Sequence, residues 1–75
     1  MKDLVKFIAQ SLVEFPQQVV VTQKEDGDNI TIALKVAPED MGKVIGKHGK
    51  IARAIRCVTK AAASKQDKHV NVEIL

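Results

Sequence analysis

Aromatic and cysteine side chains are scarce in this sequence of 75 residues, which has no tryptophan, no tyrosine, two phenylalanines and one cysteine. The single cysteine, Cys57, can form neither an internal disulfide nor a cysteine-rich zinc site, and such usage is typical of a reducing compartment. We therefore expect a cytoplasmic location. Because free cysteine behaves as a small apolar residue, we also expect Cys57 to be buried.

Long apolar runs are missing as well. The apolar residues near the N-terminus are interrupted by Lys6, Gln10 and Glu14, so the sequence predicts no secretory leader and no membrane insertion. A chain of this length buries only about 60% of the surface that its unfolded form exposes, which excludes a large enclosed active site. The two histidines, His48 and His69, have too few companion ligands, and we predict no catalytic residue, no metal site and no cofactor.

Charged residues are present but are divided unevenly along the chain. Residues 1–40 carry four basic and seven acidic side chains, whereas residues 41–75 carry eight basic and two acidic ones. The stretch from Met41 to Lys60 contains six basic residues and no acidic residue. Such a local field attracts a polyanion, although a solvated helix face can have the same composition.

The apolar periodicity and the turn residues predict three helices and three strands. Alternation is clearest in the second strand, and Pro16 and Pro38 mark the end of the first helix and the start of the second. In chain order we predict a helix over residues 2–15, a strand over 19–24, a turn over 25–29, a strand over 30–36, a short helix over 38–45, a helix over 49–63 and a strand over 70–75.

The third helix has two distinct sides. At about 100° per residue, one narrow arc is apolar and is its expected core face, and basic residues lie on the opposite side. The apolar arc contains Ile51, Ile55, Val58 and Ala62, and the basic side contains Lys50, Arg53, Arg56 and Lys60.

The element order α-β-β-α-α-β predicts an α+β fold. Three strands form one sheet whose apolar face is covered by all three helices, because the helices must bury their own apolar stripes. The first two strands form an antiparallel hairpin. The crossover through two helices makes the last strand parallel to the strand over 30–36, so the sheet is expected to be mixed.

Two glycines, Gly46 and Gly49, bracket Lys47 and His48 between the last two helices. Glycine accepts a positive φ and lets another molecule approach the backbone closely. If a helix begins at Gly49, its dipole adds to the charge of Lys47 and Lys50, an arrangement suited to a phosphodiester. The Gly-x-x-Gly spacing is weak evidence by itself, because a helix-ending glycine followed by a turn glycine has the same pattern.

In this context the sequence resembles the KH domain, whose Gly-x-x-Gly loop clamps the backbone of four nucleotides. Val44 and Ile45 match the aliphatic-Ile-Gly opening of the KH signature, and the helix and strand ahead of the core resemble the type II arrangement. The resemblance implies a single KH domain over residues 1–75, with an N-terminal extension over 1–24 and a KH core over about 29–75. Ala52 departs from the general pattern, which often has a large aliphatic residue there.

The length and the run from Val44 to Ala63 resemble more narrowly the KhpA family of small bacterial single-KH proteins. That resemblance implies non-enzymatic binding of single-stranded RNA, RNA chaperoning or post-transcriptional control with a KhpB-like partner, and a link to cell shape and envelope growth. Since a four-nucleotide footprint binds weakly, we also expect a homodimer or heteromer. The implied RNA-binding residues are Ile45, Gly46, Lys47, His48, Gly49, Lys50 and Arg53.

Two alternatives remain open. The basic helix could dock on an acidic partner in a protein-interaction or dimerisation module that does not bind RNA, and the loop could hold single-stranded DNA. Phe7 and Phe15 both lie in the first predicted helix, so the aromatic stacking platform of other RNA-binding modules is absent.

Overall fold

The computed structural model describes residues 1–75 and has the element order that the sequence predicts. Short 3-10 turns lie at Pro16–Gln18, Pro38–Asp40 and Lys47–Gly49. None of the helices combines the length and the apolar character needed to cross a membrane. The helices are α1 (Lys2–Leu12), α2 (Met41–Ile45) and α3 (Lys50–Ser64), and the strands are β1 (Val20–Asp26), β2 (Asn29–Lys35) and β3 (His69–Ile74).

The three strands form one mixed sheet in the order β1-β2-β3. β1 is antiparallel to β2 and β3 is parallel to it, in a register that places Gln23 and Val72 on either side of Ile32. Alternation along β2 buries Ile30, Ile32 and Leu34 against the helices. The predicted α+β fold, with three helices on one face of a mixed sheet, is therefore confirmed, and β3 is an edge strand.

The β1–β2 hairpin is longer than predicted because its turn is tighter. Asp26 pairs with Asn29, so only Gly27 and Asp28 connect the strands, whereas the sequence predicted a turn over residues 25–29. Gly27 has a φ of 62°. Two-residue hairpin turns need such a positive φ to match the twist of the strands, and Gly27 supplies it.

Helix α1 ends at Leu12, three residues before its predicted end, because backbone amides just after it donate hydrogen bonds to a carboxylate that is distant in sequence. The Glu14 and Phe15 N–H groups donate to the two oxygens of Asp40 at 3.1 and 3.0 Å. Asp40 is completely buried. The prediction gave Asp40 only the role of complementing a helix dipole, but its side chain also ties the end of α1 to the start of α2.

The core face of α3 is rotated from the predicted one. The prediction is correct at Ile55 and wrong at Val58, which is 46% exposed. Small alanines let the helix backbone lie close to the sheet, and the Thr59 hydroxyl is satisfied by helix carbonyls 3.0 Å away, so its burial leaves no polar group unpaired. The buried residues of α3 are Ala52, Ile55, Thr59 and Ala63.

The same rotation exposes Cys57, which the sequence predicted to be buried. Cys57 follows the buried Ile55 by two residues, which is about 200° around the helix. Its side chain therefore points away from the sheet, and the phase of the helix overrides the apolar preference of the thiol.

Candidate nucleic-acid interface

The loop between α2 and α3 turns sharply because three of its residues have a positive φ. Gly46 ends α2 at φ 76° and ψ 172°, and His48 and Gly49 have φ values of 57° and 73°. The Gly46 N–H donates to the Gly42 carbonyl at 2.9 Å, and the Gly49 N–H donates to the Gly46 carbonyl at 3.1 Å. The loop is thus a hydrogen-bonded turn with Lys47 and His48 at its exposed tip.

The two glycines of the loop serve different purposes. A Cβ at Gly46 would lie 2.8 Å from the Ile51 Cβ and 2.9 Å from the Ile51 nitrogen, so Gly46 is required by both its φ and its close contact with α3. A Cβ at Gly49 would meet no heavy atom within 4 Å. The space in front of Gly49 is open, and another molecule can approach the backbone there.

Positive charge converges on this loop from side chains and from the backbone. Lys47, His48 and Lys50 are exposed. Gly49 is the N-cap of α3, no side chain caps the first amides, and the first turn contains no acidic residue. The partial positive charge of the helix N-terminus therefore adds to the charge of the lysines, and the arrangement can hold a phosphate.

Arg53 is joined to the loop by a hydrogen bond. Its Nη2 donates to the His48 carbonyl at 2.9 Å, which holds His48 in its left-handed conformation. The guanidinium has further donors that this bond does not use. Arg53 can therefore position the loop and contact a phosphate at the same time, whereas the sequence predicted only a contact.

One of the basic residues between Met41 and Lys60 forms ion pairs within the protein. Lys43 Nζ lies 3.3 Å from a Glu14 oxygen and 3.8 Å from an oxygen of the buried Asp40. Both acidic residues lie before Met41 in the sequence, so a count of charges between Met41 and Lys60 overstates the positive charge that a ligand meets. The structure contains no cluster of three or more His, Cys, Asp or Glu side chains that could hold a metal ion.

Arg56 links α3 to the edge strand β3, because its Nε donates to the Val72 carbonyl at 3.3 Å. This bond leaves the two terminal nitrogens of the guanidinium available to a ligand. The partner of Arg56 is 16 residues away in sequence, and no local pattern indicated the contact.

The opposite side of α3 is apolar. Here α3 faces α1, and an apolar depression of about 210 Å³ lies between the two helices. We call this surface the α1–α3 patch; its residues are Ile8, Leu12, Ile51, Ala54, Ile55 and Val58. Leu12 is 38% exposed and Val58 is 46% exposed. This patch is distinct from the loop, where the exposed aliphatic residue is Ile45.

The structure thus brings the seven predicted contact residues to one end of the molecule. Ile45 is the last residue of α2 and Lys50 the first of α3, and Arg53 lies one turn into α3. The geometry of this end agrees with a comparison with known families, in which the model described as "KhpA/KhpB, KH domain" matches residues 2–74. The chain belongs to the KhpA/KhpB KH-domain family.

Several curated relatives in the KhpA/KhpB family match along their whole length. The RNA-binding protein KhpA of Clostridium perfringens is 57% identical over 75 residues, which are 100% of each chain. The proteins of the same name from Halalkalibacterium halodurans and Listeria monocytogenes are 49% and 45% identical over 100% of this chain and 99% of theirs.

Solved structures share this KhpA/KhpB-family fold at lower sequence identity. Aquifex aeolicus Era bound to GDP and AlF4− matches with a TM-score of 0.68 at 21% identity, over 97% of this chain and 28% of the Era chain. Era in complex with MgGDPNP and nucleotides 1506–1542 of 16S ribosomal RNA matches over the same shares with a TM-score of 0.60 at 19% identity. These similarities support the fold alone.

Proposed function

We propose that this chain is a non-enzymatic, single-stranded RNA-binding protein whose residues 1–75 act as one type II KH domain. The observation that supports this most strongly is the exposed positive loop at the start of α3, where no side chain caps the helix and the space in front of Gly49 is open. A loop of this kind holds the backbone of about four nucleotides. The names of the curated relatives agree with an RNA ligand.

Each predicted residue has a proposed role in this clamp. Lys47 and Lys50 contact phosphates, and His48 donates a hydrogen bond near them. Gly46 and Gly49 allow the turn and the close approach of the RNA backbone. Ile45, which is 38% exposed, supports a base, and Arg53 positions the loop while it faces a phosphate.

The proposal is tested by replacing both residues at the tip of the loop, Lys47→Asp and His48→Asp. The double variant should fold normally, because both side chains are exposed, and should lose detectable binding to single-stranded RNA in fluorescence anisotropy. For the parent, two to three phosphate contacts predict that log K falls with log salt at a slope of about −2.

A control variant, Gln17→Asp with Lys24→Asp, makes the same change in charge at two exposed positions far from the loop in sequence. It should bind RNA with close to the parent affinity, since only long-range attraction is altered. RNA binding by the loop variant at the parent level would refute the clamp. Titration with a matched single-stranded DNA decides the choice between the two nucleic acids.

The proposal also includes association with a second protein chain. A footprint of about four nucleotides binds weakly, and linking two such sites raises the effective concentration of the second. The α1–α3 patch leaves Leu12 and Val58 exposed, which is a feature of surfaces that associate with another protein. We therefore propose a homodimer or a heteromer with a KhpB-like RNA-binding partner, which a pull-down from cells would identify.

The alternative function is a protein-interaction or dimerisation module whose basic helix binds an acidic partner without RNA, and the exposed Leu12 and Val58 of the patch agree with its dimerisation. The two functions make opposite predictions for the purified chain, because only the clamp retains RNA in the absence of a partner. The proposed cellular role is cytoplasmic RNA chaperoning or post-transcriptional control, with a link to cell shape and envelope growth. Sequencing of RNA crosslinked to the protein in cells tests this role, and an absence of enriched transcripts would contradict it.

A further inference from the structure

Asp40 is the one charged residue that the fold buries, and its side chain does not cap the helix that it precedes. It is the N-cap residue of α2, where an aspartate usually accepts hydrogen bonds from the first amides of its own helix. Its two oxygens instead accept the N–H groups of Glu14 and Phe15, just after the end of α1. The carboxylate therefore serves the junction between two helices.

A buried carboxylate joins two helices in a more directional way than apolar packing does. Removing a charge from water is unfavourable, and well-packed apolar side chains of similar volume often stabilise a fold as much or more. Hydrogen bonds to two oxygens, however, fix both the distance and the orientation of the groups that they join. No buried polar side-chain atom is left without a partner, so this network is complete. The bonds of Asp40 therefore fix the orientation of α2 relative to the end of α1.

Helix α2 depends on the contacts at its two ends for its orientation. It contains five residues, one of them buried, and a helix of this length is not stable by itself in water. Its last turn is held by the close contact between Gly46 and Ile51. Its start is held by Asp40. The ion pair between Lys43 and Glu14 adds less, because these side chains are 42% and 70% exposed and water screens their attraction.

The orientation of α2 sets the position of one half of the clamp. Ile45 and Gly46 lie at the end of α2. Gly49 and Lys50 lie at the start of α3 and form the other half. Ile45 is five residues from Asp40, a rise of about 7.5 Å, so a tilt of about 10° at Asp40 would move Ile45 by about 1 Å. A binding site tolerates displacements of only about 0.5 Å. Release of α2 at Asp40 would therefore misplace one half of the clamp.

We propose that Asp40 is a positioning residue for RNA binding, which acts through α2 and does not touch the ligand. Its carboxylate holds Ile45 and Gly46 at the separation from Lys50 that an RNA backbone requires. The inference rests on the proposed function, since the loop must be the RNA clamp. A residue that only stabilises the fold changes the fraction of folded chains, whereas a positioning residue also changes the affinity of the folded chain.

The test is Asp40→Asn, which keeps the shape of the side chain but replaces one acceptor with an NH2 donor that faces a backbone N–H. Binding of a single-stranded RNA tetranucleotide is measured by fluorescence anisotropy, well below the unfolding midpoint given by circular dichroism. Its affinity should fall about five- to twentyfold, since one bond of the junction is lost. The salt slope should stay at about −2, because no phosphate contact is removed. In NMR spectra the amide signals of Ile45 and Gly46 should shift.

Two control variants separate positioning from stability and from the ion pair. Ile30→Val lowers the stability through lost packing in β2 beside the hairpin turn, where Ile30 pairs with Val70. Glu14→Gln breaks the ion pair with Lys43 but keeps the backbone N–H that Asp40 accepts. Both variants should bind the tetranucleotide within about twofold of the parent, because the carboxylate and its two amide partners are retained.

A measurement on the parent decides the question if Asp40→Asn does not fold. Coupling between two sites is reciprocal, so saturating tetranucleotide should slow hydrogen exchange of the Glu14 and Phe15 amides about threefold or more, although neither residue belongs to the clamp. Parent affinity in a folded Asp40→Asn variant, or exchange rates that RNA leaves unchanged, would overturn the positioning role and leave the clamp intact. Absence of tetranucleotide binding by the parent would overturn the proposed function, and this inference with it.

Discussion

The two long sides of α3 differ in almost every property that governs binding. The side that faces β3 carries Arg53, Arg56 and Lys60, and Arg56 is bonded to the sheet edge. The side that faces α1 carries Ile51 and Val58 over an apolar depression. The first side suits a polyanion and the second suits a protein surface. One helix thus provides two surfaces that can be altered independently.

The largest expected effect comes from Gly46→Ala, which disturbs both sides of α3. Ile51 belongs to the α1–α3 patch and also contacts Gly46, so a Cβ there meets α3 directly. The positive φ and the overpacking each cost about 1–3 kcal/mol, and we expect a loss of about 3 kcal/mol or more in the free energy of unfolding. Urea denaturation followed by circular dichroism measures it.

Gly42→Ala is the control for this substitution. Gly42 lies within α2, and a Cβ there would meet no heavy atom within 4 Å. We expect the stability to rise by up to about 1 kcal/mol, because alanine favours a helix. An unfolding midpoint for Gly46→Ala equal to that of the parent would show that the loop does not depend on glycine at this position.

An intermediate effect is expected from Val58→Asp, which alters only the α1 side. A charge in the middle of an apolar interface should raise the dissociation constant of a homodimer at least tenfold, about 1.4 kcal/mol, measured by analytical ultracentrifugation. Tetranucleotide affinity should not decrease more than about twofold, since the patch lies away from the loop.

The matched control is Val20→Asp, which makes the same change at a residue of β1 that is 52% exposed. It should leave the association unchanged. If Val58→Asp associates as strongly as the parent and the control, the α1–α3 patch is not the interface. If it instead abolishes RNA binding, the two sides are not independent.

The smallest effect is expected from substitutions of Arg53. They separate its role in positioning the loop from its contact with a phosphate. Arg53→Ala removes the bond to the His48 carbonyl and should weaken RNA binding about three- to tenfold, in line with one hydrogen bond. Arg53→Lys keeps the charge and should retain the salt slope, but should not recover the full affinity. Parent affinity in Arg53→Lys would mean that only the charge matters.

The sequence predicted the local features of the fold well. Alternation of Ile30, Ile32 and Leu34 identified β2, because a strand buried on one face has a period of two. The loop was also identified locally, since Gly46 and Gly49 are close in sequence and both adopt a positive φ. The proposed roles of the loop residues remain predictions that the experiments above test.

Features that depend on distant residues were not predictable from local patterns. The end of α1 is set by Asp40, whose partners are 25 and 26 residues away. The phase of α3 depends on how closely its backbone approaches the sheet, which favours burial of Ala52 and Thr59 over Val58. Large apolar residues dominate a periodicity analysis, so it placed the core face too near Val58.

The most direct test of the claim that RNA binds on the loop side of α3 and not on the α1 side is photo-crosslinking. The purified chain is crosslinked to single-stranded RNA containing 4-thiouridine, and the crosslinked peptides are mapped. We predict that the crosslinks concentrate in residues 44–53 and that residues 2–12 of α1 remain free of them. Crosslinks concentrated in α1, with none in residues 44–53, would contradict the assignment of RNA to the loop side.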